Sequence, residues 1–259
     1  MTTHKYFKDS FATLIHGDAF EYLDTIADGT VDMVVTDPPY FLSHNGISNH
    51  AGKMVSVNKG DWDSAKASDA EAFYDRFIVA VDRILKPDGT LWIFGTMHNI
   101  YTIGYLLQKH HFKLLNNVTW QKSNPVPNLS CRMFTHSTET ILWAKREKGK
   151  QQFNYHQMKA LNGDRQMKDV WTTASVSKSE KRFGKHPTQK PLSVLMRILQ
   201  SSSTAEMTVV DPFVGTGTTL VAAKRLGVKA IGVDSNSDYL EIARQRLVDF
   251  ENEKIGKIK

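Results

Sequence analysis

The chain has a single cysteine, Cys131, so no intramolecular disulfide can form, and a reducing compartment is the natural expectation. No apolar run approaches the roughly 20 residues a membrane-spanning helix needs. The opening MTTHKYFKDSF has no apolar stretch of the kind a secretory signal carries. Together these point to a soluble, cytoplasmic protein with no membrane partner. Histidines, cysteine and carboxylates lack metal-ligand spacings such as C-x-x-C or H-E-x-x-H, so no metal is assigned. Internal repeats and low-complexity tracts are also missing. What remains is a 259-residue chain that is 41% hydrophobic, enough for one large domain or a domain with an insertion.

Charge is unevenly spread. Residues 120–190 hold 14 Lys or Arg against 5 Asp or Glu, a net +9, whereas the whole chain is +6, which leaves −3 for the rest. A local basic excess suits a polyanion, because neutralised phosphates release counterions. A solvated basic face without a partner is an equal reading of charge alone.

Short apolar, β-rich runs alternate with amphipathic segments. Strands are expected at 31–37, 90–95, 114–120, 139–145, 207–213 and 229–235. Helices are expected at 69–86, with Phe73, Phe77, Val81 and Leu85 on one stripe, at 218–227 ending on Gly227, and at 237–254. This alternation predicts an α/β fold with a mainly parallel, doubly wound sheet. Two segments break the pattern. Residues 42–68 are rich in Gly, Ser and Asn and read as a mobile loop. Residues 146–185 are polar and basic with scattered aromatics, and read as an insertion on the core outside the sheet.

Two strand ends carry the chemistry. The first reads VDMVVTDPPYF: an apolar strand running into Asp37, Pro38, Pro39 and Tyr40. The second reads VVDPFVGTGTTLVAAKRLG, where a strand meets Asp211, then Gly215 and Gly217, then a helix. Glycines at such a turn let a ligand approach the backbone. In doubly wound sheets the crevice at the carboxyl ends of the strands is the usual ligand site. The spacing is not G-x-G-x-x-G and no G-K-[ST] follows, so a nucleoside is better supported than a pyrophosphate. Asp234, 17 residues beyond Gly217 at the end of the next strand, suits two ribose hydroxyls; capping of the last helix is the alternative.

DPPY together with DPFVGTGTT resembles the amino-methyltransferases that use S-adenosylmethionine, in the motif order of the β class of DNA adenine-N6 methyltransferases. HPTQKP (186–191) and HGDAFEYL (16–23) are further signatures of that family, and the likeness covers nearly the whole chain. The runs DPPYFLS, TWQKSNPVPNLSCRMFTHSTETILWAK and MKDVW resemble the second adenine methyltransferase of a GATC restriction–modification system, the type able to act on single-stranded DNA. The resemblance implies a permuted methyltransferase core: 1–145 as the catalytic part, 146–185 as target-recognition insertion and 186–259 as the cofactor part.

It also implies roles. Asp37 and the Pro38 carbonyl would accept the two N–H bonds of the target amine. Pro38 and Pro39 stiffen the turn, and Tyr40 would stack on the base. Cofactor contacts would come from Asp18, Ala19, Lys190, Asp211, Phe213, Gly215, Thr216, Gly217, Thr218 and Asp234. Asp18 could instead be a turn carboxylate, Asp211 a helix cap, and Lys190 a brace for its own turn. His186 reads as structural. On the DNA side stand Asn124, Asn128 and Arg132 in the irregular loop, and Arg165, Lys168, Lys178, Lys181 and Arg182 in the basic insertion. The partners implied are DNA, duplex and single-stranded, a second copy of the chain (family members are often dimers) and a cognate restriction endonuclease. Relatives acting on cytosine-N4 usually carry Ser at the Asp37 position, and those acting on RNA or protein glutamine more often Asn. An inactive DNA-binding subunit would not need DPPY and FVGTGTT intact.

Overall fold

The computed structural model describes residues 3–41, 47–50, 53–56, 67–184 and 186–256. Its centre is a nine-stranded sheet. In chain order the sheet strands are β1 (His4–Lys8), β2 (Ala12–His16), β3 (Val31–Thr36), β6 (Leu85–Gly95), β7 (Phe112–Lys122), β8 (Thr138–Arg146), β9 (Val170–Thr173), β10 (Thr208–Asp211) and β11 (Lys229–Asp234). Their spatial order is β1-β2-β11-β10-β3-β6-β8-β7-β9. All but β1 and β8 run in the same direction.

The alternation of side chains explains why these runs become strands buried on both faces. On β6, Trp92 and Phe94 point into one core while Leu91 and Ile93 point into the other. On β3, Met33 and Val35 go one way and Val34 the other. Val31 breaks parity and joins Val34, because the β3–β6 register shifts between Val31 and Met33. One face is covered by α5 (Leu192–Ser202), α6 (Thr218–Leu226) and α7 (Ser237–Gly256); the other by α1 (Ala19–Thr25), α2 (Ala67–Ile84) and α3 (Ile100–Lys109). That is the doubly wound arrangement expected. From β10 the chain crosses by α6 to β11, and from β3 by α2 on the opposite face to β6. The switch point therefore lies between β10 and β3, which pair in parallel.

Three expectations are corrected. Residues 146–185 do not lie wholly outside the sheet. After the short helix α4 (Tyr155–Leu161), β9 pairs in parallel with β7 as an edge strand. The Trp171 ring is buried 6.2 Å from that of Trp92, and Asn154 Nδ2 donates to the carbonyls of Gln200 and Ser203 at the end of α5. Four residues, VWTT, are too few to show a period. Residues 42–68 are not a plain loop either, since β4 (Ile47–His50) and β5 (Lys53–Ser56) pair as an antiparallel hairpin. Residues 67 and 68 begin α2, and the mobility expected of the remainder lies outside the described residues. Helix α2 ends at Ile84, two residues early, because the backbone of Leu85 is already paired with β3.

Candidate active site

Strands β2, β11, β10 and β3 end on one edge of the sheet, and a cavity of about 340 Å³ opens there. Asp37 follows β3 directly and Asp211 is the last residue of β10, so parallel pairing of these neighbours brings two sequence-distant motifs to one cleft. Every residue assigned above to catalysis or cofactor lines it except Gly217.

The Asp37–Tyr40 turn is held from within and behind. The Tyr40 hydroxyl donates to Asp37 Oδ1. The Pro39 carbonyl accepts from the Tyr74 hydroxyl of α2 at 2.6 Å, and Asn99 Nδ2 donates to that same hydroxyl at 2.9 Å. Prolines with no N–H to satisfy and one carbonyl already anchored give a rigid turn.

Lys190 lines the cavity and braces its own turn, its ammonium donating to the Thr188 carbonyl at 3.3 Å, and it also reaches the Asp37 turn. Its ammonium donates to Asp37 Oδ2 at 2.5 Å and lies 3.4 Å from Glu139 Oε2, while Lys122 meets Glu139 Oε1 at 2.6 Å. A chain of alternating charge thus runs from β7 through β8 to the Asp37–Tyr40 turn. Burial raises Asp37 above the usual carboxylate range and the Glu139 charge adds to this, against the pull of Lys190. Glu139 is also pushed up by burial, but Lys190 and Lys122 outweigh it and hold the carboxyl low. Burial lowers Lys190, but its two carboxylates more than offset this and raise it. Burial, with Asp37 next, pushes Tyr40 well up. Sequence reading missed Glu139, Tyr74 and Asn99. None sits in a motif, and the only signal is a lone Glu at the start of an apolar strand.

On the wall formed by the glycine turn, Asp234 Oδ2 accepts from Gly215 N at 2.9 Å and Oδ1 from Asn236 N at 2.8 Å. Helix α7 is capped by Asn236, whose Oδ1 accepts from the N–H groups of Asp238 and Tyr239, so capping does not occupy Asp234. Asp18 does cap a helix: its Oδ1 accepts from Phe20 N and Glu21 N at the start of α1. Gly215 (φ 50°) faces His186, which also lines the cavity and meets Tyr239 edge to face at 4.3 Å. Gly217 serves packing. With φ at 77° it starts α6, and a Cβ there would fall 2.7 Å from that of Ala243 on α7.

Asp211 is fully satisfied, accepting from Thr219 Oγ1 at 2.6 Å and Phe213 N at 3.1 Å. Burial raises its pKa from 3.8 to about 7. The folded chain therefore keeps a proton that the unfolded chain has lost across that window. This contribution to stability is present below the lower value and disappears as pH rises through the upper one. Thermal melts of Asp211→Asn should lose less Tm than wild type between pH 5 and pH 8. Parallel pH profiles would count against this.

The DNA-side candidates divide. Asn124 Oδ1 accepts from Ser175 N, and Asn128 binds Ser130 and the Met133 carbonyl, so both brace the 123–137 loop. Arg182 pairs with Asp249 of α7. Arg132, Arg165, Lys168 and Lys178 are exposed and Lys181 is half-buried. The braced loop displays Val126, Leu129, Met133 and Phe134, the last 96% exposed.

Comparison with known proteins agrees with this geometry. Residues 31–245 match the model of the DNA methylase family, N6_N4_Mtase. The Type II methyltransferase M2.LlaDCHI of Lactococcus lactis subsp. cremoris is 51% identical over 250 residues, covering 95% of this chain and 93% of that protein. M2.DpnII of Streptococcus pneumoniae is 50% identical over 256 residues, covering 98% and 95%. The crystal structure of the M1.HpyAVI–SAM complex superposes with a TM-score of 0.67 at 26% identity, covering 91% of this chain and 98% of that one.

Proposed function

Because the chain belongs to the DNA methylase family, we propose that it methylates adenine N6 within GATC. It is an S-adenosylmethionine-dependent DNA methyltransferase with DNA as its substrate. The residues present suit that cofactor. The cavity is of ligand size, Phe213 gives it an apolar wall, and Asp234 keeps lone pairs to spare beside the glycine turn. S-adenosylmethionine supplies an electrophilic methyl group on a sulfonium sulfur.

The protein's task is positioning and electrostatics. An exocyclic adenine amine is a weak nucleophile because its lone pair is delocalised into the ring. Asp37 and the Pro38 carbonyl accept its two N–H bonds, which favours a tetrahedral nitrogen with an exposed lone pair. The Asp37 carboxylate then stabilises the positive charge that develops on that nitrogen. Tyr40 holds Asp37 through its hydroxyl and offers its ring to the base. Asp234 takes the ribose hydroxyls, and Gly215, Thr216 and Thr218 shape the turn beside them. The target lies inside a duplex stack, so the base is flipped out or taken from a single strand. The exposed 123–137 loop and the cations of 146–185 supply the surface for that strand, phosphates being the usual partners of single Lys and Arg. A cytoplasmic setting, a cognate endonuclease and a homodimer complete the reading. Tyr101 and Tyr105, exposed on α3, offer the dimer an apolar face.

The observation that carries this proposal is the shared cavity of Asp37–Tyr40 and Phe213–Thr216. Its test is radiolabel transfer from S-adenosylmethionine to duplex and single-stranded oligonucleotides with and without GATC. Label recovered as N6-methyladenine only from GATC substrates is the expected result. Label in cytosine, or spread over unrelated sequences, would refute it.

A further inference from the structure

Resting on the methyl-transfer reading, we infer that Glu139 is a positioning residue that draws Lys190 off Asp37 when the target amine docks. The ammonium's N–H leaves Asp37 Oδ2 for Glu139 Oε2, and Asp37 Oδ2 becomes free to accept from the amine.

Three observations carry this. First, Asp37 has both oxygens engaged, Oδ1 by Tyr40 and Oδ2 by Lys190 at 2.5 Å. An incoming N–H must share or displace one of these donors. Second, Glu139 Oε2 is buried and already ion-paired with the same ammonium at 3.4 Å, but in a geometry that makes no hydrogen bond. A buried acceptor without a hydrogen bond is costly, and this close to a cation it is a ready second seat. Third, the reaction builds positive charge on the nitrogen that Asp37 holds. An ammonium left on Asp37 would oppose that charge at close range in a poorly screened site. Moving it toward Glu139 lessens the opposition while leaving Glu139 doubly paired, since Lys122 stays on its Oε1. Tyr40 keeps its bond to Asp37 throughout. Among the described residues, Asp211 and Tyr74 complete the titratable neighbours of this turn: Asp211 is occupied by Thr219 and Phe213, and Tyr74 by Pro39 and Asn99.

The test uses the full-length enzyme on GATC oligonucleotides, with Glu139→Gln of nearly equal volume. Lys190 then stays on Asp37, and kcat falls roughly 10- to 100-fold, the scale of a charged hydrogen bond. The KM values for DNA and S-adenosylmethionine stay within about threefold. Loss of the Glu139 charge also eases ionisation of Asp37, so the acidic limb of the kcat/KM profile moves to lower pH. Glu139→Asp, which keeps the charge, returns the limb toward wild type. Turnover within about twofold of wild type with an unmoved limb overturns the inference. So does a raised DNA KM with an unmoved limb, which a merely structural Glu139 would give. If Glu139→Gln does not fold, a structure of the wild-type enzyme with target DNA and S-adenosylhomocysteine decides. Lys190 must sit on Glu139 Oε2, and Lys190 still on Asp37 Oδ2 overturns the proposal. A wild-type enzyme that transfers no label is a different failure, one of the methyl-transfer reading itself.

Discussion

Asp37→Ala should lose methyl transfer by about 10³-fold or more while S-adenosylmethionine binding stays measurable by titration calorimetry. The size follows from what the carboxylate does. In the proposed mechanism it is one of two acceptors for the amine and the group facing the charge that develops there. Binding should survive because the cofactor-side turn is assembled without Asp37: Gly215 is held by Asp234, and Asp211 by Thr219 and Phe213. The fold should survive as well. Truncation leaves Lys190 beside Glu139 rather than stranded, with a second ammonium, Lys122, on the far oxygen. An Asp37→Ala enzyme with near wild-type turnover would remove the mechanism. A variant that lost both turnover and cofactor binding would mean that the two halves of the cavity are not separable as described.

The largest expected effect on stability is at Trp92. It is fully buried at the centre of the sheet, stacked on Trp143 at 4.8 Å and 11°, and its indole N–H donates to Ser202 Oγ at 3.0 Å. Trp92→Ala should cost about 3–5 kcal/mol, through lost burial and the cavity left behind. The Ser202 hydroxyl keeps its bond to the Ile198 carbonyl, so the loss is mainly one of packing. For a chain of this size the midpoint should fall by roughly 10 °C, read by calorimetry. A shift of only a degree or two would mean that the α5 side of the core collapses to fill the space. Phe94 lies two residues further along the same strand and lines the cavity, so partial loss of activity below the midpoint is expected too.

The parts of this molecule legible in the chain were those with a period or a fixed local chemistry. VDMVVT and TLWIFG are continuous β-rich runs, and strands covered on both faces require that pattern. The glycine turn before α6 and the Gly227 cap after it are demands of positive φ, which is a property of single residues. β9 was not legible, because four residues carry no period and its place depends on an open edge of β7. Glu139 was hidden for a related reason. Its importance comes from two lysines, Lys122 and Lys190, that are distant in sequence and close only once β7 and β8 pair and α5 packs.

The sequence by itself determined the elements, the stiff Asp-Pro-Pro-Tyr turn, the glycine bend and the order in which these occur, because each rests on backbone preference or hydrophobic period within a few residues. Tertiary structure alone decided that Lys190 faces the Asp37 carboxylate, that Gly217 serves helix packing and that Asn236 rather than Asp234 caps the last helix. Those are matters of distance between side chains far apart along the chain. Distance across a sheet is set by strand order, which no local pattern encodes.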